Sequence, residues 1–409
     1  MTVYLGLDWS EQKHDGCFIH PNGEVLRYVT IRHSIQGFTQ LDQARQGLGL
    51  PAAECVVGIE TAHNLLVDYL WDQGYSQIYV LPPQAVASAQ GRFRNSGAKS
   101  DPSDAHLIAD LLRTDQARFH LWAPDQPLTR QIRAGVHSLY QLHKDMVRVS
   151  NRLRAVLLRY YPAALQGFGS LEARSTLALI AAYPTPQALR DLTWEAFQTF
   201  CRTHHHTHPK AWPACYNRLL AAYPTAELGV VAAYAPQAVA WAGILDSLER
   251  AYQQGLHRLA PLYLQHPDQP LYASLPGAGA LLEPALLGKL GDDRGRFPTP
   301  AVLQALAGTC PVTRQSGKSR SVQMRWACDH EFRDIVQQWA RLTLEVSPWA
   351  QAYYQAVRPR CARDNEAVRR LANRWLAILW KVWQERQPYN QQQHWQRHLL
   401  RCTPRPSHQ

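Results

Sequence analysis

The chain has 409 residues, 46% of them hydrophobic and 18% charged, with 13 Trp and 18 Tyr, which excludes wholesale disorder and allows two or three domains with cores of their own. Lys and Arg exceed Asp and Glu by 11, with Arg outnumbering Lys 36 to 7, so a polyanionic partner is expected, nucleic acid ahead of an anionic membrane surface. The charge is unevenly placed: residues 1–120 carry a net −4 and residues 121–409 a net +15.

The N-terminus lacks a basic leader segment and reads as a strand, so no signal peptide is expected. For want of an apolar run of roughly 18 residues free of charge, no membrane span is expected either. Eight scattered cysteines without a Cys-x-x-Cys read as reduced thiols. A soluble, cytoplasmic and nucleoid-associated protein is the expectation.

Residues 3–9, 15–20 and 24–32 read as three strands, with Pro21-Asn22-Gly23 turning a hairpin. A helix over 35–48, a buried strand at 54–60, a helix over 62–73 and a fifth strand at 78–81 follow. That order belongs to the ribonuclease-H-like α/β fold. Residues 101–114 make a further helix, with Asp101 suited to its cap and Pro102 to its first position. From about 128, Ile132, Val136, Leu139, Leu142, Met146, Val149, Leu153, Val156 and Tyr160 recur every three or four residues, predicting a coiled-coil-like helix that ends at Pro162. Its other faces are basic and include Arg148 and Arg152. Shorter helices broken by prolines fill 163–235, and a second long helix is expected over 236–260, paired with the first in the same chain or with a second subunit. A compact module at 271–345 and a Trp-rich helical tail at 365–386 complete a mainly α C-terminal part.

Asp8 ends the first strand and Glu60 the fourth, while Asp101 and Asp104 stand one turn apart at a helix start. First and fourth strands are neighbours in the expected sheet, so Asp8 and Glu60 can converge, and the i, i+3 spacing presents Asp101 and Asp104 together. Clustered carboxylates repel unless cations neutralise them. Such a set is the usual ligand shell of paired Mg²⁺ (or Mn²⁺) ions that bind phosphate. The plainer alternative makes Asp101 a cap and Glu60 a strand-end charge. Arg92, Arg94 and Lys99 lie on the loop leading into Asp101 and suit a phosphate backbone guided to the metals; alternatively they only balance the acids.

Two further constellations lie behind. Leu275-Pro276-Gly277-Ala278-Gly279 forms a turn whose backbone N–H groups, at Gly277 and Gly279, suit phosphate. Ser316 stands between Arg314 and Lys318, with Arg320 beyond, and cations lower the cost of an alkoxide. Composition alone does not separate such a nucleophile from a phosphate-binding Ser-Gly turn. His204, His205, His206 and His208 with Cys201 and Cys215 match no standard zinc spacing, and a basic solvated loop is the better reading.

Taken together, these residues resemble the insertion-sequence 110 family of DEDD-type transposases and the related Piv-type site-specific invertases. The resemblance rests in front on Gly6-Leu7-Asp8, Gly58-Ile59-Glu60-Thr61, Pro82 and Lys99-Ser100-Asp101-Pro102-Ser103-Asp104-Ala105. Behind, it rests on Leu275 through Gly279, Arg296-Phe297, Gly308-Thr309-Cys310-Pro311, Gln315-Ser316-Gly317, Arg325-Trp326-Ala327-Cys328-Asp329, Trp349-Ala350, Tyr353-Tyr354 and Arg370 through Trp375. Departures are Ala62 where the family often has glycine, the Arg325–Asp329 version of an Arg-Gly-Asn stretch, and the long 163–235 segment.

The resemblance implies a RuvC-like domain at 1–125, a coiled-coil linker region at 126–268, a transposase domain at 269–345 and a helical tail at 346–409. It implies that Asp8, Glu60, Asp101 and Asp104 bind Mg²⁺, and that Ser316 attacks a DNA phosphate to form a covalent intermediate, in composite sites of a dimer or tetramer. Element-end and target DNA would be the substrates, with an element-encoded bridge RNA choosing them in some members. Arg92, Arg94, Lys99, Arg148, Arg152, Gly277, Gly279, Arg314, Lys318, Arg320 and Arg325 are the expected nucleic-acid contacts. The alternatives are a Piv-like invertase, a RuvC-like nuclease in which Ser316 only binds phosphate, and a non-catalytic nucleic-acid-binding module.

Overall fold

A computed structural model describes residues 2–62, 64–90, 101–206, 208–317 and 319–402, with the side chains of 101, 102 and 400–402 outside the description. The chain divides into two compact units, Met1–Pro124 and Asp125–Gln409.

In the first unit, β1 (Val3–Trp9), β2 (Lys13–Ile19), β3 (Val25–Arg32), β4 (Cys55–Ile59), β5 (Gln77–Val80) and β6 (Leu121–Trp122) form one mixed sheet in the order β3-β2-β1-β4-β5-β6. β1, β4 and β5 run parallel, whereas β2, β3 and β6 join their neighbours antiparallel. β4 is Cys-Val-Val-Gly-Ile and buried throughout, as a strand covered on both faces must be. One face packs on α1 (Ile35–Gln46) and α2 (Leu65–Asp72), around Leu5, Leu7, Val57 and Ile59. Both helices begin where a side chain caps them: Ser34 Oγ accepts from the Gly37 N–H at 3.1 Å, and Asn64 Oδ1 from the Val67 N–H at 3.0 Å. The other face meets α3 (Pro83–Ala89) and α4 (Asp101–Asp115) through Val56, Cys17 and Ile19.

The second unit is mostly helical. It contains α5 (Pro127–Tyr160), α6 (Arg174–Ala182), α7 (Pro186–Arg190), α8 (Trp194–Thr203), α9 (Trp212–Leu219) and α10 (Leu228–Leu264). Then come α11 (Gln269–Ala273), α12 (Gly279–Leu290), α13 (Pro300–Leu306), a hairpin of β7 (Val312–Ser316) and β8 (Ser319–Gln323), α14 (His330–Val346), α15 (Pro348–Val357), α16 (Asp364–Glu385) and α17 (Gln391–Cys402). α5 and α10 lie antiparallel. Gly135 faces Leu259, Gly255 faces Leu139, Arg152 stacks on Trp241, and Tyr160 stacks on Tyr234. The pairing is therefore within one chain.

α10 starts earlier than the expected residue 236, running through Pro236. Proline has no N–H for the Ala232 carbonyl, and Ala232 and Pro236 both lie on the exposed side of the helix. The expectation that no long uncharged apolar run exists also fails. Residues 228–245 contain no Asp, Glu, Lys or Arg, and among the described residues α10 is the one helix long and apolar enough to cross a membrane by length and composition. Its apolar stripe is taken up by α5 and α6–α9, whose Leu153, Tyr160, Ile180 and Phe197 share a core with Val231, Ala238 and Leu245.

A second core joins the near ends of α5 and α10 to the module and the tail: Ile132, Leu259, Leu286, Trp339, Trp375 and Trp383 belong to it together. The tail thus shares the core of the 269–345 module, because Trp375 lies between Trp339 and Trp349, with ring centroids 5.1 and 5.0 Å away.

Candidate active site

The register of β1 and β4 pairs Gly6 with Gly58 and Leu7 with Ile59, so Asp8 and Glu60 follow side by side at the carboxyl ends of adjacent parallel strands. Side chains alternate along a strand, which turns Asp8 to the same face as Gly6, and Glu60 to that of Gly58. α4 covers this face. A Cβ on Gly6 would stand 2.0 Å from the Ala105 carbonyl oxygen and 2.4 Å from the Ala109 nitrogen, and one on Gly58 would stand 3.0 Å from Ile108. Two glycines therefore let α4 lie directly on the strands that carry the acids.

The direction of α4 follows from its other end. Arg113 donates to the Pro21 carbonyl at 3.3 Å, and Pro21 lies in the hairpin turn beyond Ile19, which pairs with Tyr4 near the start of β1. The C-terminal end of α4 thus marks the beginning of β1, and its N-terminal turn marks the Asp8 end. Asp104, buried and adjacent to Ala105, is delivered to that end, and the backbone of Asp101 lies one turn before it.

A residue that sequence reasoning missed lies on the same face. Asp15 of β2 is the register partner of Asp8 and is buried. Thr30 Oγ1 donates to its carboxylate at 2.5 Å, and the Lys13 ammonium stands 3.5 Å away. No local pattern marks it, since its relation to Asp8 arises only from the pairing of β1 with β2. Cys17, under α4, is a buried thiol pushed up to about 12 by desolvation, which leaves it chemically inert.

The donors on this face are carboxylate oxygens, the set that hard divalent cations take. Among the described residues no three His, Cys, Asp or Glu side chains are gathered closely enough to hold a metal ion, so Asp8, Asp15, Glu60 and Asp104 share an end of the sheet without forming a ligand cluster. The side chain of Asp101 lies outside the described residues, as do Arg92, Arg94 and Lys99 entirely.

Ser316 belongs to the second unit and ends β7, at the tip of the two-stranded hairpin. Gly317 has φ +53°, the left-handed conformation that a two-residue hairpin turn requires at its first position. Lys318 lies outside the described residues. Ser316 pairs with Ser319, and Arg314 with Ser321. Alternation places Arg314, Ser316, Ser319 and Ser321 on one face, and Thr313, Gln315, Arg320 and Val322 on the other. Arg314 therefore flanks the serine while Arg320 is turned away from it. Ser316, Arg314 and Arg320 are all exposed.

The remaining expected contacts have specific surroundings. Gly277, at φ +70°, lies so close to α14 that a Cβ would stand 3.1 Å from the Leu342 carbonyl carbon, and Trp339 Nε1 donates to the Pro276 carbonyl at 2.9 Å. Gly279 is exposed with open space around it. Arg148 is exposed and pairs with Asp145, Arg152 covers the Trp241 ring at 5.2 Å, and Arg325 has a buried Nε without a hydrogen-bond partner among the described residues. In the histidine segment, His206 Nδ1 accepts from Trp212 Nε1 at 2.9 Å, a packing role.

Comparison with known proteins finds family matches at the front and towards the back of the chain. A transposase family model of the DEDD IS110 type matches residues 5–162, and the model described as "Transposase IS116/IS110/IS902 family" matches residues 270–355. The chain is 30% identical over 401 residues to the mini-circle putative transposase for IS117 of Streptomyces coelicolor, covering 96% of each chain. It is 26% identical over 339 residues to the insertion element IS900 uncharacterized 42 kDa protein of Mycobacterium paratuberculosis, covering 80% of this chain and 81% of that one. With the insertion element IS110 uncharacterized 43.6 kDa protein of Streptomyces coelicolor it shares 25% identity over 391 residues, 93% of each. The chain belongs to the IS116/IS110/IS902 family of transposases.

Proposed function

We propose that this protein cuts and rejoins DNA as the transposase of an insertion sequence, with Ser316 as nucleophile and the acids of a ribonuclease-H-like (RuvC-like) unit assisting. The observation that carries the reading is the antiparallel run of α4 on β1, which directs Asp104 and the start of the helix to the end of the sheet holding Asp8 and Glu60. Asp8, Glu60, Asp101 and Asp104 would hold Mg²⁺ or Mn²⁺, and such an ion neutralises charge that develops on phosphate oxygens. At the other unit, Ser316 Oγ forms an ester to phosphorus, the bond to the departing sugar oxygen breaks, and the Ser316 proton leaves for solvent as that oxygen gains one. The phosphoester keeps the bond energy needed for rejoining. Arg314, two residues away on the same face, holds the phosphate and stabilises the alkoxide. Element-end and target DNA are the proposed substrates. A bridge RNA, a coiled-coil role for α5 and α10, and assembly as a dimer or tetramer belong to the same reading, with the serine acting in composite sites. The protein would work in the cytoplasm at the nucleoid.

The test is denaturing electrophoresis after incubation with element-end DNA and Mg²⁺. A protein–DNA adduct is expected, lost with Ser316→Ala and reduced by at least about a hundredfold with Asp8→Ala. Cleavage without an adduct, retained by Ser316→Ala, would instead identify a metal-dependent nuclease in which the serine binds phosphate.

A further inference from the structure

The tail that packs into the module's core also encloses a space of its own. Between the C-terminal end of α16, the turn after it and the start of α17 lies a cavity of about 610 Å³, a size that holds small organic groups. Trp349, Ile378 and Val382 form its apolar floor, and Trp349 and Val382 are buried in the core beneath. One wall is a pair of rings, Tyr389 and His394, hydrogen-bonded to each other with Oη and Nδ1 2.8 Å apart. The wall is also held from behind. The Tyr389 N–H donates to Ser274 Oγ at 2.8 Å, and the Trp349 ring centroid lies 4.6 Å from that of His394. Packing therefore builds the cavity before anything enters it.

The polar lining is of a particular kind. The carboxamides of Gln387 and Gln393 are exposed and make no hydrogen bond with any described residue, so their donors and acceptors stay available. The one acid among the lining residues, Glu385, stands 3.7 Å from the Lys381 ammonium. Arg397 is exposed on the rim and has no ion pair with a described residue. Residues 386–409 hold four Arg and no Asp or Glu. An unpaired nucleotide needs this combination: rings for the face of its base, amides for its edge and a cation for its phosphate. A duplex keeps its bases stacked and paired, which leaves the rings and amides nothing to take. A simple anion would use the arginine but neither the rings nor the amides.

We infer that this cavity seats one unpaired nucleotide of a nucleic-acid strand, with the base against Tyr389 and His394 and the phosphate at Arg397. The inference rests on the reading that the protein handles nucleic acid, but not on which group attacks phosphorus or on what chooses the DNA. Full-length protein, cleared of copurified nucleic acid at high salt, is given short single strands of RNA or of DNA, each carrying one 2-aminopurine, or a duplex of the same sequence. Stacking in the cavity quenches the 2-aminopurine emission, and ultraviolet crosslinking followed by peptide sequencing reads where the strand lies. A crosslink within residues 387–398 is expected. Gln387→Ala combined with Gln393→Ala should weaken single-strand binding about tenfold, through two lost hydrogen bonds, and leave duplex binding unchanged. Both side chains are exposed, so this variant keeps the fold. Tyr389→Leu, which loses the stacking ring, should weaken single-strand binding roughly ten- to a hundredfold. The polymer whose affinity falls is the one the cavity holds. Crosslinks confined to other segments would overturn the inference, as would an unchanged single-strand affinity in the double variant or an equal loss on duplex. Ser316→Ala is expected to keep the strand in the cavity, so loss of the Ser316 adduct bears only on the nucleophile.

Discussion

Gly6 is where a single atom decides whether the acid face can form. An added methyl would meet the α4 backbone at 2.0 Å, and backbone locked in a helix cannot step aside as a flexible side chain does. Gly6→Ala should therefore lower the stability of the first unit by about 3 kcal/mol, near the upper end for overpacking, read as a lower urea midpoint. It should also abolish activity by moving Asp104. His14 gives this unit a pH dependence. Its ring is buried, with Nε2 2.9 Å from His33 Nδ1. Burial first and the His33 charge second hold its pKa below the ordinary 6.5, with Asp15 opposing in part. The unfolded chain then binds the proton more readily than the folded one. Stability is full above about pH 6.5 and falls as pH drops below it, through the folded pKa. Urea midpoints measured across that range should show the decline in the native protein and a shallower one in His14→Gln. The positions of Asp8, Glu60, Asp101 and Asp104 at element ends were legible in the sequence, since strand and cap patterns are local. Asp15 was not, because its relation to Asp8 exists only through the register of two strands.

The elements show where local pattern suffices and where it fails. The steps of three and four from Ile132 to Tyr160 mark α5 because one face of a long helix must stay apolar to pack. The β7–β8 hairpin escapes such reading. Both its faces are polar and exposed, so no alternation of apolar residues marks it, and Ser316 is recognisable by its cationic neighbours but not by its strand. Proline misleads at α10, because tertiary packing of the helix's buried face carries it through Pro236. α16 supplies the strongest element-scale test. Trp375 is fully buried between two other tryptophans, and its Nε1 donates to Thr343 Oγ1 at 2.9 Å. Trp375→Ala should cost about 3–5 kcal/mol. If the tail and the module share one core, thermal melting of the second unit stays a single transition at a lower temperature. Separate melting of the tail would show that it folds apart.

Across the whole molecule, the charge asymmetry coincides with the division into units, because residues 121–124 are uncharged: Met1–Pro124 carries −4 and Asp125–Gln409 carries +15. Counterion release then assigns most non-specific DNA affinity to the second unit. A 125–409 fragment should bind duplex DNA with a salt slope near that of the full chain, and a 1–124 fragment should bind little at moderate salt, both measurable by fluorescence anisotropy. Each unit has its own apolar core, so the first fragment should also melt cooperatively. By itself the sequence determined the charge split, the order of strands and helices in the first unit apart from α3 and β6, the long apolar stripe of α5 and the identity of the candidate acids and serine. These are properties of composition and short-range periodicity. Only the tertiary structure decided that α4 runs against β1, that Asp15 joins the acid face, that Arg314 and Arg320 part to opposite sides of the ribbon, and that the tail packs into the module's core. Each of those depends on which distant segments pair and in what register. Strand pleat and side-chain packing set that register over separations that no local pattern encodes.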